Sequence, residues 1–219
     1  MDLAHAQEIF EQLYSGFSGY DIARHEKDRM GLQEAATTYG EVIPPAFHDV
    51  MLAASPKEGE VFFDLGSGTG KATFLAALAF PFRRVVGIEL LPGLGDAARK
   101  VLSHYDAEIR PRLGPEHQQQ RIDFIDGDFL ATDLSEADVL FAHGTCYGPE
   151  LIAKLTHKLE ELKPGARVVM AGQTLASPEL VFQKMKVMKT DWGSALAAVS
   201  RASAECGKER PSASPTTCE

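Results

Sequence analysis

The densest chemistry in this sequence is the run Asp64-Leu65-Gly66-Ser67-Gly68-Thr69-Gly70, with Glu89 downstream. Glycines spaced two apart behind an acid let a backbone turn approach a ligand closely, because no Cβ stands between them. The spacing discriminates among ligands. A dinucleotide fingerprint, G-x-G-x-x-G, requires a glycine where this chain has Lys71. A phosphate-binding loop ends in G-K-[ST], and here Lys71 is followed by Ala72. Glu89 falls about twenty residues beyond the glycines, where a strand-ending acid accepts both hydroxyls of a ribose. A third acidic strand end, Ile125-Asp126-Gly127-Asp128-Phe129, suits an adenine: an acid for the amino group and an apolar neighbour for the ring. Asp128 and Phe129 are assigned here, with Asp126 the competing acid. A plain tight turn, a strand-capping acid and an acidic loop are the corresponding readings without a ligand.

These residues need a frame that brings strand ends together. Short apolar runs end at Asp64, Glu89, Asp126, Ala142 and Ala171, and helical stretches separate them (Ala72 to Ala79, Ala97 to Tyr105, Pro149 to Leu162). Strand–helix alternation of this kind predicts a parallel sheet covered on both faces. Two extended runs, Phe182 to Trp192 and Ala195 to Ser203, predict an antiparallel pair at the sheet edge. Upstream, residues 2 to 15 carry apolar positions at helical spacing, Asp21 to Gly31 reads as a second short helix or a mobile loop, and Pro44-Pro45 opens a helix to about Ala54. The expected fold is α/β: a Rossmann-like, doubly wound, mostly parallel sheet with a C-terminal antiparallel hairpin and N-terminal helices. The expected divisions are a helical cap over 1–38, a cofactor-binding domain over 39–205 and a disordered Pro/Ser/Thr-rich tail over 206–219.

Bulk properties narrow the partners. The chain has 219 residues and a formal net charge of -9, which disfavours a phosphate backbone as primary partner and suits a basic protein or a small molecule. The three cysteines, Cys146, Cys206 and Cys218, match no zinc spacing and no disulfide framework, so no metal is expected. No secretory signal is expected from Met1-Asp2-Leu3-Ala4-His5, and no apolar run reaches membrane-spanning length. An intracellular location is expected, cytoplasmic first and the nucleus second.

The D-x-G-x-G-x-G loop with its downstream acid is similar to class I methyltransferases, whose cofactor is S-adenosyl-L-methionine and whose product is S-adenosyl-L-homocysteine. A narrower resemblance adds Tyr39-Gly40-Glu41, Gly87-Ile88-Glu89, Tyr147-Gly148-Pro149-Glu150-Leu151 and Asp191-Trp192-Gly193. Together these resemble the disruptor-of-telomeric-silencing family, histone-lysine methyltransferases that lack a SET domain, over roughly Tyr39 to Ser203. The resemblance implies that Tyr39 and Glu41 fold over the methionine end of the cofactor, Glu41 meeting its ammonium group and Tyr39 walling the transfer channel. With Asp64, Gly66, Ser67, Gly68, Gly70, Glu89, Asp128 and Phe129 they make up the expected cofactor set. The family has an asparagine pair where this chain reads His143-Gly144-Thr145, a tyrosine-bearing segment where it reads Ser194-Ala195-Leu196-Ala197-Ala198, and a threonine where it has Val42. These departures argue against histone specificity.

Tyr39, His143 and Tyr147 are the candidates for the transfer step. His143 could accept a proton or a hydrogen bond from the acceptor, or be a structural histidine bonded to backbone. Tyr147 and Trp192 could line the acceptor channel, or belong to the core. Three functions stay open on sequence: methyl transfer to a protein lysine, methyl transfer to a small molecule on the same scaffold, and a cofactor-binding partner protein without catalysis.

Overall fold

Residues 1–31 and 39–204 are described by the structure, a computed structural model. The expected tail at 206–219, the cap boundary at 38, Cys206 and Cys218 lie outside them.

Strand β1 (Val61–Leu65) is buried at every position, and β2 (Arg84–Glu89) at all but its first. A strand so placed must be covered on both faces, which a parallel central strand achieves. β1 pairs in parallel with β2 and with β4 (Val139–His143). β3 (Arg121–Asp126) adds to β2 and β5 (Arg167–Ala171) to β4, again in parallel. β6 (Leu180–Thr190) and β7 (Gly193–Ala202) complete a seven-stranded sheet in the order β3-β2-β1-β4-β5-β7-β6, with β7 antiparallel to both neighbours. The predicted fold class is thus the one observed. The strand order reverses between β1 and β4, and ligands bind such sheets at that point, outside the carboxyl ends of the strands.

Prolines set the helix starts. α3 (Pro44–Ala53), α5 (Pro92–His104), the short α6 (Pro115–Gln119) and α7 (Pro149–Leu159) all begin on proline, whose missing N–H has no partner in a first turn. α5 starts five residues before the expected Ala97 because Pro92 opens it. Gly93 and Gly95, poor helix formers, are kept in that turn by close neighbours: a Cβ at Gly93 would meet Glu26 and one at Gly95 would meet Asp126. The π-helical turn Tyr105–Ile109 and the 3-10 turn Arg110–Arg112 that follow were not expected.

α4 (Lys71–Ala79) is buried almost all round, and α1 (Leu3–Tyr14) packs Ile9, Phe10, Leu13 and Tyr14 into the same apolar cluster. α2 (Gly19–Met30) is a regular helix and not a loop; its Glu26 accepts the Gly93 N–H at 3.0 Å and so caps α5 from outside. No described helix is long and apolar enough to cross a membrane.

Candidate functional site

The carboxyl ends of β1, β2 and β4 open onto a cavity of about 620 Å³. The sequence-assigned residues Tyr39, Glu41, Asp64, Gly66, Ser67, Gly68, Glu89, Asp128, Phe129, His143 and Tyr147 all line it. Gly70 does not. It lies behind the loop with φ +84°, and a Cβ there would come 2.7 Å from Phe124. Asp126 also lies away from the cavity, paired with Arg99 at 2.9 Å, whereas Asp128 faces in and takes the Leu130 N–H at 2.8 Å.

The glycine loop is held from both sides. Gly68 has φ +58°, and a Cβ on it would lie 2.7 Å from the Tyr39 ring, so the loop can pass under that ring only as glycine. Glu89 grips the loop from below: one carboxylate oxygen accepts the Gly68 N–H at 2.7 Å, the other the Leu91 N–H at 2.9 Å. Burial raises the Glu89 carboxyl, and the amides of Leu91 and Gly68 oppose that rise. Asp64, 2% exposed, accepts the Thr73 hydroxyl at 2.8 Å, and burial pushes its carboxyl up to about 7. The buried Ser67 hydroxyl has no partner among the described residues. It points at Gly87 of β2, where a Cβ would come 2.7 Å from it, so that strand position must be glycine.

Sequence reasoning missed a cation here. Lys71, first residue of α4, lines the cavity and pairs with Glu41. It lies 5.1 Å from the centre of the Tyr14 ring. Glu41 also accepts the Tyr39 hydroxyl at 2.9 Å, and that hydroxyl contacts Thr69 Oγ1 at 2.9 Å. Tyr14 of α1 donates to the Thr69 carbonyl at 2.9 Å, so helices far upstream reach the loop directly. In the sequence Lys71 only breaks a dinucleotide fingerprint and a phosphate loop. Its place at the head of the helix after the glycines was the available signal.

The far wall is aromatic. The His143 ring lies nearly parallel to Trp192, 19° apart with centroids at 6.1 Å. His143 Nε2 is buried with no partner among the described residues, so that nitrogen has no backbone bond. Burial lowers the His143 pKa, against a smaller opposing effect of Asp191, which leaves a neutral imidazole. Trp192 is half exposed at the cavity mouth, outside the core, and lies 3.1 Å from where a Gly40 Cβ would be. Tyr147 is half-buried and lies nearer the glycine loop, its hydroxyl donating to the Leu65 carbonyl at 3.4 Å, and desolvation drives its phenol well above the usual range. Tyr20 of α2 bonds Asp191, joining the N-terminal helices to the hairpin turn across this mouth.

A seven-stranded sheet of this order, with a glycine loop after β1 and an acid ending β2, is the class I methyltransferase fold. Solved structures agree. The RNA methyltransferase from Salinibacter ruber, in complex with S-adenosyl-L-homocysteine, is 25% identical with a TM-score of 0.52, covering 79% of this chain and 97% of that one. TrmN from Thermus thermophilus has a TM-score of 0.55 at 18% identity, over 77% of this chain and 51% of its own, a likeness of fold. Within that class, residues 29–200 match the family described as "Histone methylation protein DOT1", and the chain belongs to that family. Similar relatives include H3 lysine-79 specific histone-lysine N-methyltransferases of Dictyostelium discoideum, 33% identical over 60% of this chain, and Debaryomyces hansenii, 25% identical over 83% of it. The matched regions are only 7% and 16% of those two relatives' lengths.

Proposed function

We propose that this chain is an S-adenosylmethionine-dependent methyltransferase whose acceptor is a lysine amine of a protein. The observation that carries the reading is one cavity holding the Glu89-anchored glycine loop, with Tyr147 against it, at one end and the stacked His143–Trp192 pair at the other. The residues present fit the cofactor. Glu89 has acceptor capacity for ribose hydroxyls, Asp128 and Phe129 suit the adenine, and Gly68 keeps the loop backbone open to a ligand. The amino-acid end of the cofactor is a zwitterion, and Glu41 with Lys71 offers one charge of each sign. On this reading Glu41 takes the ammonium, Lys71 the carboxylate, and their mutual ion pair is exchanged for two new ones. Lys71→Met is expected to weaken S-adenosylmethionine binding about 10-fold, the size of one lost charge-assisted hydrogen bond. Titration calorimetry checks this, and unchanged affinity removes Lys71 from the site.

The bound cofactor supplies an electrophilic methyl group; the chain's own residues must present a neutral amine in line with it. Leu151 and Trp192 give the acceptor's path an apolar lining. A lysine passing such a wall is desolvated, which lowers its pKa. The neutral His143 imidazole then accepts its proton or orients it. His143→Ala should leave cofactor affinity within about twofold and slow transfer roughly 100-fold, the usual size of a lost proton acceptor. An unchanged turnover and pH profile would make the histidine structural.

The reading includes residues 1–38 as a cap on the cofactor domain and an intracellular location. The decisive experiment is transfer of tritiated methyl groups from S-adenosylmethionine into a cell lysate. Label in large, protease-sensitive material that hydrolyses to methyl-lysine supports it. Label confined to small metabolites refutes it.

A further inference from the structure

The register of the C-terminal hairpin leaves part of it beyond the sheet. Ala171, the last residue of β5, pairs with Ala197, which pairs with Lys186. Residues 187–190 and 193–196 therefore run past the end of β5, about 13 Å at strand rise. This projection carries Trp192 at its tip and stands beside the cavity mouth. Its two faces differ. One packs inward: Met188, Thr190 and Ala195 are buried, Met188 in the cluster that contains Phe47 and Val50 of α3. The alternating side chains of the other face are Met185, Val187 and Lys189, with Leu196 opposite Val187.

That second face is unusually apolar for a solvated one. Val187 is 62% exposed, Leu196 55% and Met185 42%. A large exposed apolar cluster with a polar rim marks an interaction surface. Its charge is the reverse of the molecule's. On a chain of net charge -9, Lys189 is exposed, lies between the Val187–Leu196 pair and the turn, and has no acidic partner among the described residues. Lys186, on the opposite face, pairs with Asp49. A projection serving only as a cavity wall needs a greasy inner face and a polar outer one. The outer face here has the makings of a two-point contact: an apolar step and, about 7 Å nearer the mouth, a lone cation.

We infer that this hairpin ledge docks the protein acceptor itself, by a segment in which a carboxylate side chain and, farther from the target lysine, a large apolar side chain lie on one edge. The carboxylate meets Lys189, the apolar group covers Val187 and Leu196, and the lysine between them and the cavity passes Trp192. The ledge thereby selects sequence around the lysine, independently of the cofactor site. This rests on the lysine-acceptor reading above.

The test uses the full chain saturated with S-adenosylhomocysteine, so binding is read without turnover. The probe is a fluorescent peptide with one lysine, a glutamate two positions away and a leucine two positions beyond that, made in both chain directions. Control peptides carry arginine for the glutamate, or serine for the leucine. In at least one direction the first peptide should bind at least tenfold tighter than either control by fluorescence anisotropy. Lys189→Glu should reverse the preference toward the arginine peptide. The double change Val187→Ser with Leu196→Ser should abolish the preference for leucine. All three positions are exposed, and an unchanged thermal shift with S-adenosylhomocysteine verifies each variant's fold and cofactor site. Equal affinity for all peptides, no binding, or variants without effect would overturn the proposal. So would sedimentation showing a wild-type dimer that the serine changes split, because the face would then be a self-contact. Peptide indifference alongside lysine labelling in the lysate sinks the ledge alone; labelling of small molecules sinks the acceptor class.

Discussion

Glu89→Ala should lower affinity for S-adenosylmethionine by at least about 100-fold. In the proposed complex this carboxylate accepts two ribose hydroxyls. Two charge-assisted hydrogen bonds at about 1.5 kcal/mol each give about 3 kcal/mol, or roughly two decades in affinity. A second loss adds to this. Glu89 already accepts the N–H groups of Gly68 and Leu91, at 2.7 and 2.9 Å, and is 8% exposed. Without it two sheltered donors are orphaned and the glycine loop loses its anchor. The variant should therefore also melt lower without ligand. Glu89→Gln is the sharper probe, because its amide keeps one acceptor and turns a donor toward an N–H. It should fall between wild type and Glu89→Ala in affinity. Calorimetric titration measures both, and wild-type affinity in Glu89→Ala would refute the ribose assignment.

The second large effect is a pair of opposite pH dependences at Asp64. Burial holds its carboxyl near 7, above its ordinary value of 3.8. A raised carboxyl pKa means that the folded protein binds more protons than the unfolded chain between those two values. Stability from this group is greatest at low pH and is lost as pH rises toward 7. Between pH 5.5 and 8 the loss is about 2 kcal/mol, some 4–8 °C in a domain of this size. The cofactor carries a sulfonium and an ammonium and favours the ionised carboxylate. Its affinity should move the other way, falling up to about tenfold per pH unit below 7. Asp64→Asn keeps an acceptor for the Thr73 hydroxyl but cannot titrate. It should flatten both profiles relative to wild type, which cancels the contributions of His48 and His143. Parallel profiles for wild type and Asp64→Asn would show that this carboxyl does not titrate in the window.

These two acids act through one loop. Glu89 fixes its backbone, Asp64 sits beneath it, and Tyr14, Tyr39 and Thr69 tie it to the N-terminal segment. Loss of α1 would remove the Tyr14 bond and part of the apolar cluster behind α4. The site's cofactor half is thus buttressed from three directions, while the acceptor half rests on the hairpin and the residues after β4. Those are the places where this chain departs from the pattern it resembles.

Local chemistry made the cofactor loop legible in sequence. Glycines at 66, 68 and 70 adopt positive φ, and the acids at 64 and 89 fall at or one residue before the ends of strands whose apolar runs announce burial. Strand–helix alternation likewise sufficed for the sheet, since a strand buried on both faces has few partners other than parallel neighbours. What depends on residues far apart in the chain was decided only by tertiary structure. Asp128 is the sequence's choice over Asp126, but why they part is tertiary: the turn at Gly127 leaves Asp126 to Arg99 and puts Asp128 on the cavity. Lys71 acquires meaning from Glu41, thirty positions away, and Glu26 from the head of α5. Trp192, which sequence leaves open between the acceptor channel and the core, is carried to the cavity mouth by a register that pushes the hairpin past β5. Spacing along a chain encodes backbone conformation and burial; which charged and aromatic groups share one cavity is fixed by packing distances that no local pattern contains.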